Sequence, residues 1–151
     1  MYFENVELDE FLVIGISVRT MNQNGQSQKD IGELWGKFMG ENIAAKIPDK
    51  TSNNIYCIYT DYESDFTGAY TTVLGCRVGS IINIPEGLIA KKILASEYRV
   101  YRSTGKLPYS VLHTWKAIWD SDVKRKYLAD FDVYPPDVFS SENPVATYLS
   151  V

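Results

Sequence analysis

The first half of the chain follows the order strand, helix, strand, strand. Short apolar runs bounded by polar residues are typical of buried strands. After the first run, apolar side chains recur at helical spacing and predict an amphipathic helix over 27–43. Ser27 with Asp30 resembles a capping box at its start. The apolar stripe comprises Ile31, Leu34, Trp35 and Phe38, and the strands are predicted at 11–19, 54–60 and 70–78.

The second half repeats this order. A strand at 97–102 precedes a helix over 108–121, and two more strands follow at 130–134 and 144–151. Trp35 and Trp115 occupy equivalent helix positions at a constant offset. We therefore expect one α+β domain over 1–151, a tandem β-α-β-β repeat with pseudo-repeats at about 8–80 and 88–151. Such a repeat gives an antiparallel sheet with both helices on one side and a central cleft between the halves.

The strand at 130–134 carries the most informative pattern. Because side chains alternate across a strand, Asp130, Asp132 and Tyr134 share one face, whereas Phe131 and Val133 share the other. Acids beside an aromatic ring suit a pocket for something flat and positively charged. The spacing alone favours an exposed edge strand with solvated acids, since exposed carboxylates are the norm.

Composition narrows the function classes. The chain has 151 residues and is 45% hydrophobic, which is enough for a core. No apolar run reaches membrane-span length and the start does not resemble a signal peptide, so we expect a soluble, cytoplasmic protein without a membrane partner. The net charge of −4 argues against direct nucleic-acid binding. The basic run 124–126 is expected to be a solvated turn after the second helix.

Catalytic, metal and cofactor sites are not expected. Cys57 and Cys76 lie in apolar, strand-like contexts and are expected to be buried free thiols. His113, the only histidine, has no recognisable nucleophile partner, and no Cys/His cluster has metal-ligand spacing. No glycine-rich phosphate loop is found. The acidic residues at 61, 63 and 65 are expected to form a solvated loop.

Three ordered stretches resemble the effector-binding domain of AraC-type and MerR-type transcription regulators and of gyrase-inhibitor-like proteins. No single motif is specific, but the ordered set covers nearly the whole chain. The stretches are Asp65–Tyr70 with Leu74, Gly75 and Val78; Ile84–Leu88 with Tyr98–Tyr101 and Gly105; and Trp115, Ile118 and Trp119 with 130–134 and the C-terminal strand.

This resemblance implies a tandem β-α-β-β fold whose members bind lipophilic cations in an aromatic cleft with a buried acid. The acid is typically Glu in a Phe-Glu-x-Tyr run, and Asp132 takes its position here, one methylene shorter. Regulators of the family are fused to helix-turn-helix modules. This chain has no residues left over for such a module, so a stand-alone form is expected.

The predicted function is therefore a stand-alone binding protein for small lipophilic cations, as in multidrug or effector binding. Asp132 would be the counter-charge. A hydrolase of small electrophilic ligands using the same cleft, and a protein-interaction module such as a gyrase inhibitor, stay open as alternatives. A homodimer or a regulatory protein partner also stays open. The predicted wall residues are Trp35, Tyr59, Tyr109, Leu112, Trp115, Tyr134 and Tyr148. Trp35 and Trp115 could instead be core residues that cover the sheet. Trp119 is expected to be a core residue.

Overall fold

The computed structural model describes residues 1–136 and 144–151. Within these residues the chain forms eight strands and three helices. The elements are β1 (Glu4–Leu8), β2 (Phe11–Met21), α1 (Gln26–Gly40), α2 (Ile43–Lys46), β3 (Ile55–Thr60), β4 (Ala69–Val78), β5 (Ile89–Ile93), β6 (Ser96–Ser103), α3 (Tyr109–Trp119), β7 (Ala129–Tyr134) and β8 (Val145–Ser150).

The strands form one antiparallel sheet in the order β1-β6-β8-β7-β3-β4-β2-β5. The units β2-α1-β3-β4 and β6-α3-β7-β8 meet at the β3–β7 pair, where Cys57 lies opposite Asp132. This arrangement confirms the α+β fold with a tandem β-α-β-β repeat. The short strands β1 and β5, which the sequence pattern did not reveal, precede each unit and pair with the first strand of the other unit.

The two faces of the sheet bury different sets of side chains. The long helices α1 and α3 pack on one face, where Leu34, Phe38, Trp115 and Ile118 join the larger apolar cluster. The other face buries a second cluster that contains Phe131 and no helix residue. None of the helices in the described residues is long and apolar enough to cross a membrane.

The start of α1 differs from the predicted capping box. The helix begins at Gln26, and the preceding Gly25 adopts the left-handed conformation without a side-chain cap. Ser27 therefore lies in the first turn. The carboxylate of Asp30 instead accepts a hydrogen bond of 2.9 Å from the hydroxyl of Thr20 on β2. The capping-box prediction was wrong because the Asp30 side chain is hydrogen-bonded to a strand of the sheet rather than to the helix N-terminus.

Strands β2 and β4 leave no room for a side chain where two glycines face each other. Gly15 and Gly75 are direct partners in this pair. A Cβ atom on Gly15 would collide with the backbone carbonyl of Leu74, and one on Gly75 would collide with that of Ile14. The backbone arrangement at this point therefore requires glycine at both positions.

We predict that Gly15→Ala lowers the free energy of unfolding by about 2 kcal/mol, because the methyl group overpacks a rigid backbone contact. Gly36→Ala is the matched control. A Cβ atom on this helical glycine meets nothing within 4 Å, so the substitution should stabilise the protein by up to about 1 kcal/mol. Urea denaturation of both variants measures the difference. Equal stability of Gly15→Ala and the wild type would contradict the close strand approach.

Candidate ligand-binding site

A cavity of about 440 Å³ lies between the two long helices and the sheet. This volume is within the range of small-molecule sites. Nearly half of the lining side chains are aromatic. The lining comprises Asn22, Ser27, Gln28, Ile31, Gly32, Trp35, Tyr59, Tyr62, Phe66, Tyr70, Pro108, Val111, Leu112, Trp115, Trp119, Arg125 and Tyr134.

The repeat explains how the aromatic rings converge. Trp35 on α1 makes an edge contact with Tyr134 on β7, with ring centroids 4.8 Å apart. Trp115 on α3 makes the equivalent contact with Tyr59 on β3, at 5.3 Å. Each helix therefore places one indole ring over a tyrosine of the opposite unit's inner strand. The cavity lies along the seam between the two units.

Asp132 lies beneath this aromatic surface and does not line the cavity. Its side chain is fully buried. The carboxylate accepts hydrogen bonds from the Tyr59 hydroxyl at 2.8 Å, the Trp115 indole N–H at 3.2 Å and the Thr147 hydroxyl at 2.5 Å. As strand alternation predicted, Asp132 shares a face of the sheet with Tyr134, which lines the cavity. The exposed-edge interpretation was wrong because β7 lies inside the sheet, between β3 and β8.

Burial also sets the protonation of this group. Loss of water raises the pKa of Asp132 to about 6, although the hydrogen bonds from Thr147, Tyr59 and Trp115 oppose the shift. Burial, and then the charge of Asp132, raise the pKa of Tyr59 well above its ordinary value. At neutral pH the acid is therefore mainly ionised, and the tyrosine is a neutral donor to it.

A second acid on β7, Asp130, holds an ion pair at the cavity wall. One of its oxygens accepts from Arg125 Nη2 at 2.8 Å and from the Tyr62 hydroxyl at 2.6 Å. The other accepts from the backbone N–H of Ser150 at 2.7 Å. The side chain of Arg125 is only 4% exposed. The expectation of a solvated basic turn was therefore wrong for this residue, because its partner is a buried carboxylate.

The structure brings together most of the predicted wall residues. Trp35, Tyr59, Leu112, Trp115 and Tyr134 all line the cavity.

Two of the predicted wall residues lie elsewhere. Tyr109 is 66% exposed and borders a separate surface depression that includes His113. Tyr148 lies on the helix-free face, where its ring stacks on Phe131 with a centroid distance of 4.7 Å. The alternation of β8 explains the latter position, because the neighbouring Thr147 points to Asp132.

Other cavity residues were missed from the sequence. Trp119, assigned to the core, lines the cavity and stacks on Phe66 at 6.0 Å. Tyr62 and Phe66 lie in the polar β3–β4 connection, which was interpreted as solvated. The aromatic residues in that segment were the available signal, since large rings in a polar loop need something to pack against.

The described part of the chain contains no group of three or more His, Cys, Asp or Glu side chains that could hold a metal ion. In the acidic loop after β3, Asp61 forms an ion pair of 2.6 Å with Lys91 on β5. Asp61 thus takes part in a surface ion pair.

Comparison with known proteins identifies the family. A family model described as an integron-associated effector-binding protein matches residues 5–148. The chain belongs to this family. An integron cassette protein from the mobile metagenome of Vibrio cholerae is 31% identical to this effector-binding protein, with a TM-score of 0.78, over 99% of this chain and 95% of that one. The predicted resemblance to effector-binding domains is thereby confirmed.

Two more distant structures share the fold. SAV2435, solved bound to tetraphenylphosphonium, is 17% identical with a TM-score of 0.81, over 100% of this chain and 94% of that one. A putative bacterial transcription regulation protein from Staphylococcus aureus MU50 is 16% identical with a TM-score of 0.79, over 100% of this chain and 98% of that one. No curated protein matches the sequence.

The burial of Asp132 predicts a pH-dependent cost to stability. A folded-state pKa of about 6 against an ordinary 3.8 means that the folded protein holds this proton more tightly than the unfolded chain. The contribution of protonated Asp132 to the free energy of unfolding is therefore fully present below pH 4. This contribution is lost as the pH rises through 6 and the buried acid ionises. The loss amounts to about 3 kcal/mol.

Urea denaturation of the wild type and Asp132→Asn at pH 4 and pH 7.5 measures this cost. The stability of the wild type relative to the variant should fall between the two pH values, because all other acids are common to both proteins. Asp9→Asn, an exposed acid, is the control and should show no such dependence. A difference between the wild type and Asp132→Asn that is independent of pH would refute the burial of an ionised group.

Proposed function

We propose that this effector-binding protein binds small lipophilic aromatic cations in the cavity between α1 and α3. The observation that carries the proposal is the fully buried carboxylate of Asp132 directly behind Tyr59 and Trp115. A charge in that position gives the aromatic surface a negative potential without exposing an acid to solvent. The tetraphenylphosphonium bound by SAV2435 is a ligand of this chemical class.

The physical terms are sufficient for binding without directional hydrogen bonds. A cation separated from the carboxylate by one intervening ring, at about 7 Å, gains about 2 kcal/mol from Coulomb attraction at an effective dielectric constant near 20. Each aromatic face adds about 0.5–2 kcal/mol through cation–π contact. Burial of the ligand's apolar surface adds about 25 cal/mol per Å².

The shorter Asp side chain changes how the charge acts. The Asp132 carboxylate already accepts from three protein donors, one each on β3, α3 and β8. A ligand therefore does not need to contact it. We infer that Asp132 acts through the rings of Tyr59 and Trp115, as a buried counter-charge that polarises them. This action suits cations of different shapes, since it imposes no contact geometry.

The geometry favours binding over hydrolysis. Asp132 would be the general base of a hydrolase, but it does not line the cavity and its carboxylate already accepts from Tyr59, Trp115 and Thr147. Burial raises the pKa of Tyr59 and of Tyr134 well above the ordinary value, so both hydroxyls stay protonated. Burial likewise raises the pKa of the nearby Cys57 thiol. Nucleophilic catalysis needs the opposite shift, because the deprotonated form is the one that attacks. A concave apolar cavity also fits a small molecule better than a protein surface.

Tetraphenylphosphonium and tetraphenylborate test the proposal, because they have the same shape and opposite charge. Isothermal titration calorimetry at pH 7.5 should show that the wild type binds the phosphonium and prefers it to the borate by more than tenfold. Asp132→Asn should weaken phosphonium binding by about 30-fold, which corresponds to about 2 kcal/mol. Asp9→Asn makes the same charge change at an exposed position and should bind like the wild type.

Two results would contradict the proposal. Equal binding of the two ions by the wild type would rule out a preference for cations. Unchanged phosphonium affinity in folded Asp132→Asn would rule out Asp132 as the counter-charge.

A further inference from the structure

The hydroxyl of Tyr134 is a polar group in the cavity wall that has no hydrogen-bond partner among the described residues. Tyr134 is only 9% exposed, and its ring lines the cavity beside Trp35. The hydroxyl is nevertheless open to the cavity, unlike the unpaired Nε and Nη1 atoms of Arg125, which are sealed within the wall. A buried tyrosine hydroxyl usually has a partner, so an open and unpaired one points to a ligand.

The repeat explains why this hydroxyl is unpaired. Tyr134 in the second unit corresponds to Tyr59 in the first, and Asp132 corresponds to Cys57, which lies opposite it in the seam. The Tyr59 hydroxyl donates to Asp132 at 2.8 Å. The symmetry of the repeat places a thiol, which is a weak acceptor, where Tyr134 would need a carboxylate. That thiol already hydrogen-bonds to the Trp35 indole and donates to the Tyr59 oxygen at 3.4 Å, so Tyr134 is left without an acceptor.

Other donors of the wall are engaged inside the protein or within reach of water. The hydroxyls of Tyr62 and Tyr70 donate to Asp130 and Asn22, respectively. The indole N–H of Trp119 has no acceptor among the described residues, but this side chain is only half-buried, so water can accept from it. The hydroxyl on β7 is therefore the more deeply buried of these two unpaired donors.

The surroundings of the hydroxyl define the atom that it would recognise. Burial, and then the charge of Asp132, raise the pKa of Tyr134 well above its ordinary value, so the hydroxyl is a donor at neutral pH. The negative charge of Asp132 disfavours an anionic acceptor. A ligand N–H group that donated to the Tyr134 oxygen would leave the hydroxyl proton unpaired. A neutral oxygen acceptor meets both conditions.

Asp132 and Tyr134 are far enough apart to serve different parts of one ligand. They lie on the same face of β7, two residues and therefore about 7 Å apart along the strand. A cation held over the rings of Tyr59 and Trp115 can direct a substituent along the seam to Tyr134. The charge and the hydrogen bond would then be recognised side by side.

We propose that the preferred ligand is an aromatic cation that also carries a neutral carbonyl oxygen, and that the Tyr134 hydroxyl donates to this oxygen. The inference rests on the proposed function, which supplies the site for the cationic part. A cation without an acceptor leaves the hydroxyl unpaired when it displaces water from the cavity. The protein thereby selects carbonyl-bearing cations over purely hydrocarbon ones.

Two phosphonium ions separate this inference from the proposed function. (4-Acetylphenyl)triphenylphosphonium and (4-isopropenylphenyl)triphenylphosphonium have the same charge and nearly the same shape, but only the first has a carbonyl oxygen. Isothermal titration calorimetry at pH 7.5 should show that Tyr134→Phe weakens binding of the acetyl compound about fivefold, the effect of one neutral hydrogen bond. Binding of the isopropenyl compound should not change. Tyr148→Phe, which removes a hydroxyl on the helix-free face, should bind both ions like the wild type.

Each contrary outcome has a distinct meaning. Failure of the wild type to bind either ion overturns the proposed function. If the wild type binds both ions and Tyr134→Phe weakens both equally, or neither, the present inference is overturned and the proposed function stands.

Infrared spectroscopy of the wild type with the ¹³C-labelled ketone needs no variant. The carbonyl stretch of the bound acetyl compound should lie at a lower frequency than in an aprotic solvent, because a hydrogen bond to the oxygen weakens the C=O bond. An unshifted band would overturn the role of Tyr134 as the donor.

Discussion

A carboxylate without access to water at the seam between the two repeats is the constraint on which the binding site depends. Asp132 lies opposite Cys57 in the pair of inner strands, and its donors come from β3, α3 and β8. Because burial of an ionised group is costly, the three donors must hold their positions for the fold to tolerate it. This requirement orients the Tyr59 and Trp115 rings, and these rings form the aromatic surface of the cavity.

Burial of charged side chains behind the lining explains how an apolar cavity can have charged groups in its wall. The acid acts from behind the rings, and the ion pair of Arg125 with Asp130 is shielded within the wall. Electrostatic attraction is stronger there than at a solvated surface, because little water screens it. We propose that the buried carboxylate of Asp132 discriminates between ligands by charge, while the aromatic rings accept different shapes.

The fold was largely predictable from the sequence, but the site was predictable only in part. Helical and strand periods predicted the tandem repeat, and strand alternation grouped Asp132 with Asp130 and Tyr134 on one face. Whether Asp132 was exposed depended on the neighbours of β7, which a local pattern does not contain. Arg125 illustrates the same limit, because its burial follows from an ion pair with an acid whose own burial was unknown. Tyr62 and Phe66 were missed because their segment lacks periodicity.

The most direct test of the account is the pKa of Asp132, measured by carboxyl ¹³C NMR in the free protein and with saturating tetraphenylphosphonium. We expect a pKa of about 6 for Asp132 in the free protein. We also expect the bound cation to lower this pKa by about one unit or more, since a positive charge in the cavity favours the ionised acid. An ordinary pKa in the free protein, or a pKa that the bound cation leaves unchanged, would contradict the central role of Asp132.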